Sequence, residues 1–157
     1  MSSCRATNEK LLLAAWVPGV PTSKGRPRFA RATGRAYTPA KTQGAERTLA
    51  GELGAATKVG MTAREREWPA DGALELELVF HLPIPASWSK RKQEEARRGL
   101  LRHVSRPDVD NLGKLVMDAA NGILWRDDSQ LVLVTLSKRY AMAPGTAVTL
   151  YRPADAP

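Results

Sequence analysis

Leu74-Glu75-Leu76-Glu77-Leu78-Val79-Phe80-His81-Leu82 places an apolar side chain at every second position, the period of a strand with one face on a core. Pro83 and Pro85 terminate it. Beyond them, Ser87 or Ser89 caps a charged helix ending near Gly99, polar enough to be solvated or to lie along a charged partner. Pro107 to Asn121 forms a second helix, with Leu112, Leu115, Val116 and Ala119 as its buried stripe. Asn121-Gly122 closes it with residue types that tolerate a left-handed cap. Leu131 to Tyr140, rich in Val and Leu, is expected as a central strand. Ala147 to Tyr151 is its expected partner after Pro144-Gly145.

Upstream of Leu74, Lys58 to Gly72 carries no period and connects elements. Thr38 as N-cap and Pro39 in the first helical position open a helix to about Thr57, with Leu49 and Leu53 facing the core. Leu11 to Val17 is a short buried opening strand, ended by Pro18, Gly19 and Pro21. The order predicts one α/β (α+β) domain over residues 1–157, a small mixed sheet packed with about three helices, with short flexible termini and no repeat or linker.

The 157 residues, 43% apolar and 25% charged, have the composition of a soluble globular domain. Cys4 is the single cysteine, which excludes an intramolecular disulfide framework and a Cys-rich zinc module, and fits a reducing cytoplasm. His81 and His103 are too few and too separated for a histidine-led metal site. The run Leu11 to Val17 is far short of the ~20 residues a membrane span needs, so neither secretion nor membrane insertion is expected.

A formal charge of +8 points to a polyanionic partner, nucleic acid first. Ser23 to Gln43 contains no acid but holds Lys24, Arg26, Arg28, Arg31, Arg35 and Lys41 among glycines and prolines. This is an irregular basic loop with Phe29 and Tyr37 interleaved. Those rings could stack on unpaired bases, or simply dock on the core. A second basic stretch, Lys90 to Arg106, contains Lys90, Arg91, Lys92, Arg97, Arg98, Arg102 and Arg106 against Glu94 and Glu95. The acids fall elsewhere: five of seven aspartates lie between Asp108 and Asp128, and no Glu follows Glu95. Carboxylates clustered in a protein that attracts polyanions repel its ligand unless divalent cations intervene.

In Asp108-Val109-Asp110-Asn111 two carboxylates alternate at a helix start, and Lys114 follows Asp110 on the same face, continued by Asp118 and Asn121. A third carboxylate could come from Asp127 or Asp128. The helix carries the chain ~16 Å away, and seven extended residues can retrace ~23 Å. Three aspartates beside a lysine suit Mg²⁺ or Mn²⁺ and phosphodiester hydrolysis. Equally, Asp108 could be an N-cap, Asp110 could complement the helix dipole, and Asp110 with Lys114 could be a surface ion pair.

Taken together, Ser105-Arg106-Pro107-Asp108-Val109-Asp110-Asn111-Leu112, Lys114, Asp118-Ala119, Gly122, Trp125 and Asp127-Asp128-Ser129-Gln130 resemble the RusA family of Holliday junction resolvases. Pro21-Thr22-Ser23-Lys24-Gly25-Arg26-Pro27-Arg28, Tyr37-Thr38-Pro39 and Pro85-Ala86-Ser87-Trp88-Ser89-Lys90 resemble its other signatures in the same order. The resemblance implies a small homodimeric endonuclease, often phage-encoded, that uses Mg²⁺ or Mn²⁺ to nick two strands symmetrically at a four-way DNA junction. It implies Asp108, Asp110 and Asp128 as metal-binding carboxylates, Asp127 as the less certain member of its pair, and Lys114 as catalytic lysine. Lys24, Arg26, Arg28, Arg31, Arg35, Lys90, Arg91, Lys92 and Arg106 would hold the arms. Arg106 stands where many relatives carry Lys, and Gly113 interrupts the helix at a cost of ~1 kcal/mol relative to Ala. The competing readings are a non-catalytic branched-DNA-binding protein, a nuclease for flaps and other branched DNA, and a small-nucleotide phosphohydrolase. The last lacks a phosphate-cradling Gly-rich loop.

Overall fold

A computed structural model describes residues 10–25, 28–30, 35–37, 39–59 and 67–154, with the backbone alone for 28–30 and 35–37. Its elements are β1 (Lys10–Pro18), β2 (Arg28–Ala30), β3 (Arg35–Tyr37), α1 (Ala40–Val59), β4 (Leu74–Pro83), α2 (Lys90–Arg97), α3 (Val109–Ala120), a short 3-10 helix (Asp128–Gln130), β5 (Leu131–Ala141) and β6 (Gly145–Arg152). The alternating stretch becomes β4, whose Leu74, Leu76, Leu78, Phe80 and Leu82 are all buried. They face α1 and α3 through Leu53, Leu112, Val116 and Ala120, so strand period two and helix period 3.6 meet in one core. The opposite face of the sheet carries Trp16, Glu75, Glu77, His81 and Leu133, with Trp16 and Leu133 exposed.

The four-stranded sheet is mixed, in the order β1-β6-β4-β5, and bears out the expected small mixed sheet of an α+β domain. β4 and β5 are parallel, so the chain between them must cross over the sheet; α3 makes that crossover and packs on β5.

Three expectations are corrected. β5 is an edge strand, not a central one: its Leu/Val-rich start gives way to Thr135, Ser137, Lys138 and Arg139, the polar and charged residues that keep an edge soluble. β6 pairs with β1 and β4 and does not touch β5 in the ladder. The basic stretch, expected to be irregular, contains two short antiparallel strands, β2 and β3, with Arg28 opposite Tyr37 and Ala30 opposite Arg35.

Helix boundaries follow local chemistry. The Ser89 hydroxyl accepts from Lys92 N and opens α2, and Gly99 beyond its end takes φ +72°. At the end of α3 the left-handed residue is Gly122 (φ +77°), whereas Asn121 is extended. Gly113 is buried where a Cβ would lie 2.8 Å from Leu136 Cδ1, so the glycine lets α3 settle onto β5. Thr38 lies outside the described residues, and Pro39 O accepts from Thr42 N at the start of α1.

Candidate active site

Asp108 holds the N-cap position of α3, in extended backbone, and its O accepts from Leu112 N. Its carboxylate makes no capping hydrogen bond. A residue kept for capping would turn its oxygens onto the first amides; Asp108 instead leaves them exposed. One helical position inside, Asp110 is exposed and accepts from Lys114 Nζ at 3.1 Å, one turn on. That hydrogen bond, with help from local backbone amides, holds the Asp110 carboxyl below the usual carboxylate range.

What fixes Asp108 is a lysine from another element. Lys138 Nζ, on β5, donates to Ser105 O at 2.7 Å and to Pro107 O at 2.8 Å, tying the segment before Asp108 to the sheet. From the other side, Lys24 N donates to Asn111 O at 2.9 Å and Gly25 N to Thr42 Oγ1 at 3.2 Å. These hydrogen bonds frame an open cleft of about 700 Å³ lined by Val20, Pro21, Lys41, Arg106, Asp108 and Asn111 among others. Two cations and a carboxylate on one open wall can take a phosphate together with the cation that neutralises it.

The remaining site residues divide. Lys24 forms an ion pair with Asp118 and so anchors the basic segment to α3. Arg26 and Arg31 lie outside the described residues; Arg28 and Arg35 sit on β2 and β3, with only their backbone described. Lys90, Arg91 and Lys92 are exposed in the first turn of α2, Arg91 paired with Glu95 at 3.0 Å and Lys92 lying 4.0 Å over the Trp88 ring. Three cations at a helix N-terminus oppose its dipole, an arrangement that an anionic partner relieves. A second cleft, of about 510 Å³, gathers Arg97, Arg98, Arg102, Lys138 and Arg139 with His81, and no carboxylate lines it.

Asp128 does not join Asp108 and Asp110 within the chain. The seven-residue return that the sequence permits is not made: Asn121 to Gln130 turns at the C-terminal end of α3, with Gly122 N donating to Trp125 O and Gln130 Nε2 to Ala70 O. Asp128 Oδ1 accepts from the buried Trp125 Nε1 at 2.7 Å. Asp127 accepts from Ser129 N at 2.9 Å in a capping box with Gln130, and that hydrogen bonding lowers its pKa. The 12 residues of α3 span about 18 Å, which separates the two ends. Among the described residues no three acidic, histidine or cysteine side chains gather as a metal cluster.

Sequence reading missed Lys41 and Lys138. Lys41 was one charge of a loop but stands in the first turn of α1, over the cleft. Lys138 stands in the polar second half of β5, between Ser137 and Arg139, and nothing local in the sequence says which carbonyls it meets.

The sequence model described as "Endodeoxyribonuclease RusA" matches residues 18–151, from the end of β1 to the end of β6. The chain belongs to the RusA family. It is also 33% identical over 138 residues to the uncharacterized protein YqaN of Bacillus subtilis (strain 168), covering 85% of this chain and 92% of that one. The family is one of endodeoxyribonucleases, enzymes whose substrate is a polyanion. Within the described residues, no helix is long and apolar enough to cross a membrane.

Proposed function

We propose that this RusA-family chain is a homodimeric, divalent-metal-dependent endonuclease that resolves four-way DNA junctions by paired phosphodiester hydrolysis. The observation that carries the reading is the pairing of uncapped Asp108 with Asp110 and Lys114, beside a cleft walled by Lys41 and Arg106. Asp108 and Asp110 are exposed hard-oxygen donors and fit Mg²⁺ or Mn²⁺, which commonly keep several waters beside one or two carboxylates. A bound ion would supply Lewis-acid polarisation of the phosphate and a water of lowered pKa.

The protein's own groups do the rest. Arg106 and Lys41 hold strand phosphates against the cleft. Lys114 favours the charged form of Asp110, the form that can hold a cation. Lys114, exposed at the same spot, places an ammonium where negative charge grows on the phosphorus-bound oxygens. Lys138 positions the Ser105–Pro107 segment so that Asp108 meets the cleft. The carboxylate-free cleft around Arg98, Arg102 and Arg139 gives a neighbouring arm a second place to bind.

The test is cleavage of a labelled four-way junction, a matched duplex and a flap in Mg²⁺ or Mn²⁺, with Asp110→Asn beside the parent. Paired symmetric nicks confined to the junction are expected, with Asp110→Asn binding at least as tightly and cutting nothing. Binding without cleavage in either metal would make the parent a DNA-binding protein only. Equal cutting of all three substrates would leave a nuclease without junction preference.

A further inference from the structure

Among the described side chains, Trp16 is the aromatic ring that stands exposed, 45% accessible, while Trp88 lies under Lys92 and against Tyr140 and Trp125 is buried. On β1 it is paired with Ala147, but its indole reaches diagonally to Gly145, the residue that pairs with His81 of β4. A Cβ on Gly145 would lie 2.1 Å from Trp16 Cζ2 and 2.6 Å from both Cε2 and Cη2. Distances that grow so little over three successive ring atoms describe approach to a face, not to an edge. The indole therefore lies flat over the glycine and turns its other face to solvent. His81 stands against it at a right angle, ring centroids 4.9 Å apart. Arg139, on β5, donates to His81 Nε2 from Nε at 3.2 Å and from Nη2 at 2.9 Å. Indole, imidazole and guanidinium thus follow one another across the open face of the sheet, from β1 to β5.

That row opens into cations. His81 and Arg139 line the carboxylate-free cleft of about 510 Å³ together with Arg97, Arg98 and Arg102, and all four arginines are exposed. Among the described residues, Arg98 and Arg102 have no carboxylate partner, whereas Arg97 meets Glu94 at 3.5 Å. The acids of the same face are remote: Glu77 is four residues from His81 along β4, about 13 Å at strand rise, and Glu75 is farther. Because strand side chains alternate, Arg139 faces this surface while its neighbour Lys138 turns the other way and holds the segment before Asp108. A DNA strand that leaves the Asp108 cleft reaches Arg139 by rounding the end of β5.

A flat aromatic face beside unpaired cations is the combination that unpaired nucleotides bind, since any base stacks on a ring while its phosphates lie along the arginines. Duplex DNA offers the arginines its phosphates but keeps its bases stacked on one another, and leaves the indole bare. We infer that the open face of the sheet binds an unpaired DNA strand, with one base stacked on Trp16 beside His81 and the flanking phosphates in the cleft of Arg98, Arg102 and Arg139. This rests on the nuclease reading above and sharpens it: the second cleft takes an arm where its two strands separate.

The test is binding in EDTA, so that no strand is cut. Three dye-labelled ligands are compared by anisotropy and by the protein's tryptophan emission: a thymidine decamer, an abasic decamer with the same phosphates, and a hairpin duplex of similar length. Stacking predicts that the parent holds the thymidine strand about 5- to 150-fold more tightly than the abasic strand, with emission quenched by the thymidine strand alone. Trp16→Leu should hold both strands alike and show no quenching, and Trp16→Phe should keep part of the preference. Arg98→Gln with Arg102→Gln should weaken both strands equally and leave their ratio unchanged. Equal affinity of the parent for the two strands would overturn the proposal without reference to any variant. So would a base preference that survives Trp16→Leu, or a hairpin that binds as tightly as the thymidine strand and quenches as much. Quenching that follows protein concentration without DNA would show a second copy covering the indole and would overturn it as well. A parent that prefers the thymidine strand in this way but cuts no junction in Mg²⁺ or Mn²⁺ would sink the nuclease reading and leave the strand site supported.

Discussion

Lys138 is a charged residue whose partners are two backbone carbonyls more than thirty positions upstream, and the candidate site depends on it. Replacing it by Met removes the donor and leaves Ser105 O and Pro107 O without it. The expected loss is about 1.5–3 kcal/mol for hydrogen bonds from a charged group, reduced where solvent reaches those carbonyls. Urea melts should show that loss, and junction cleavage should fall more than junction binding. His103 is buried against Tyr140, with ring centroids 4.5 Å apart and Nδ1 unpartnered. Burial first, and then the Lys138 charge, push its pKa below the ordinary 6.5; burial and Arg139 do the same to His81. A proton bound less tightly by the folded than by the unfolded chain makes stability greatest above pH 6.5. Stability then falls as the pH drops from 6.5 through the lowered folded values. Ring-proton NMR should give both midpoints below 6.5, and urea midpoints should be lower at pH 5 than at pH 7.5. At this scale the sequence was readable where interactions are local: Asp110 and Lys114 meet because they are one turn apart. Lys138 was not readable, because its partners are chosen by a crossover.

Among the elements, β4 was legible from its alternation and α3 from its leucine stripe, since one buried face imposes one period. The place of β5 in the sheet was not legible. An apolar run such as Leu131–Val134 says that a face is buried, not whether both edges are paired. The β1–β6 pair offers a sharper test of packing. A Cβ on Gly145 would lie 2.1 Å from Trp16 Cζ2, inside a rigid ring that also meets His81 edge-on at 4.9 Å. Gly145→Ala must therefore displace the indole or the strand, at a cost of about 1–3 kcal/mol. A thermal melt should show the drop, and the Trp16 emission should shift as its ring leaves His81.

For the molecule as a whole, the charge is +8, and among the described residues cations gather in two clefts and at a helix start. Removing Lys41 and Arg106 together should weaken binding to every DNA shape alike. The salt dependence should flatten by about 0.9 in log–log slope for each phosphate that is no longer neutralised, measured by titrating junction affinity against NaCl. The arrangement of the carboxylates was half visible beforehand: Asp108 and Asp110 share a helix start, whereas Asp128 depends on how a ten-residue turn is closed by Gln130 on Ala70 and Gly72. The β1–β6 register, finally, sets Lys10 opposite Arg152, at the end of the sheet away from Asp108. Those two positions are one strand spacing apart, so a few glycines would splice them, and the ring could be reopened at the exposed Gly99. A circular permutant made this way would put α3 ahead of β1 in synthesis while leaving the ladder of the sheet unchanged.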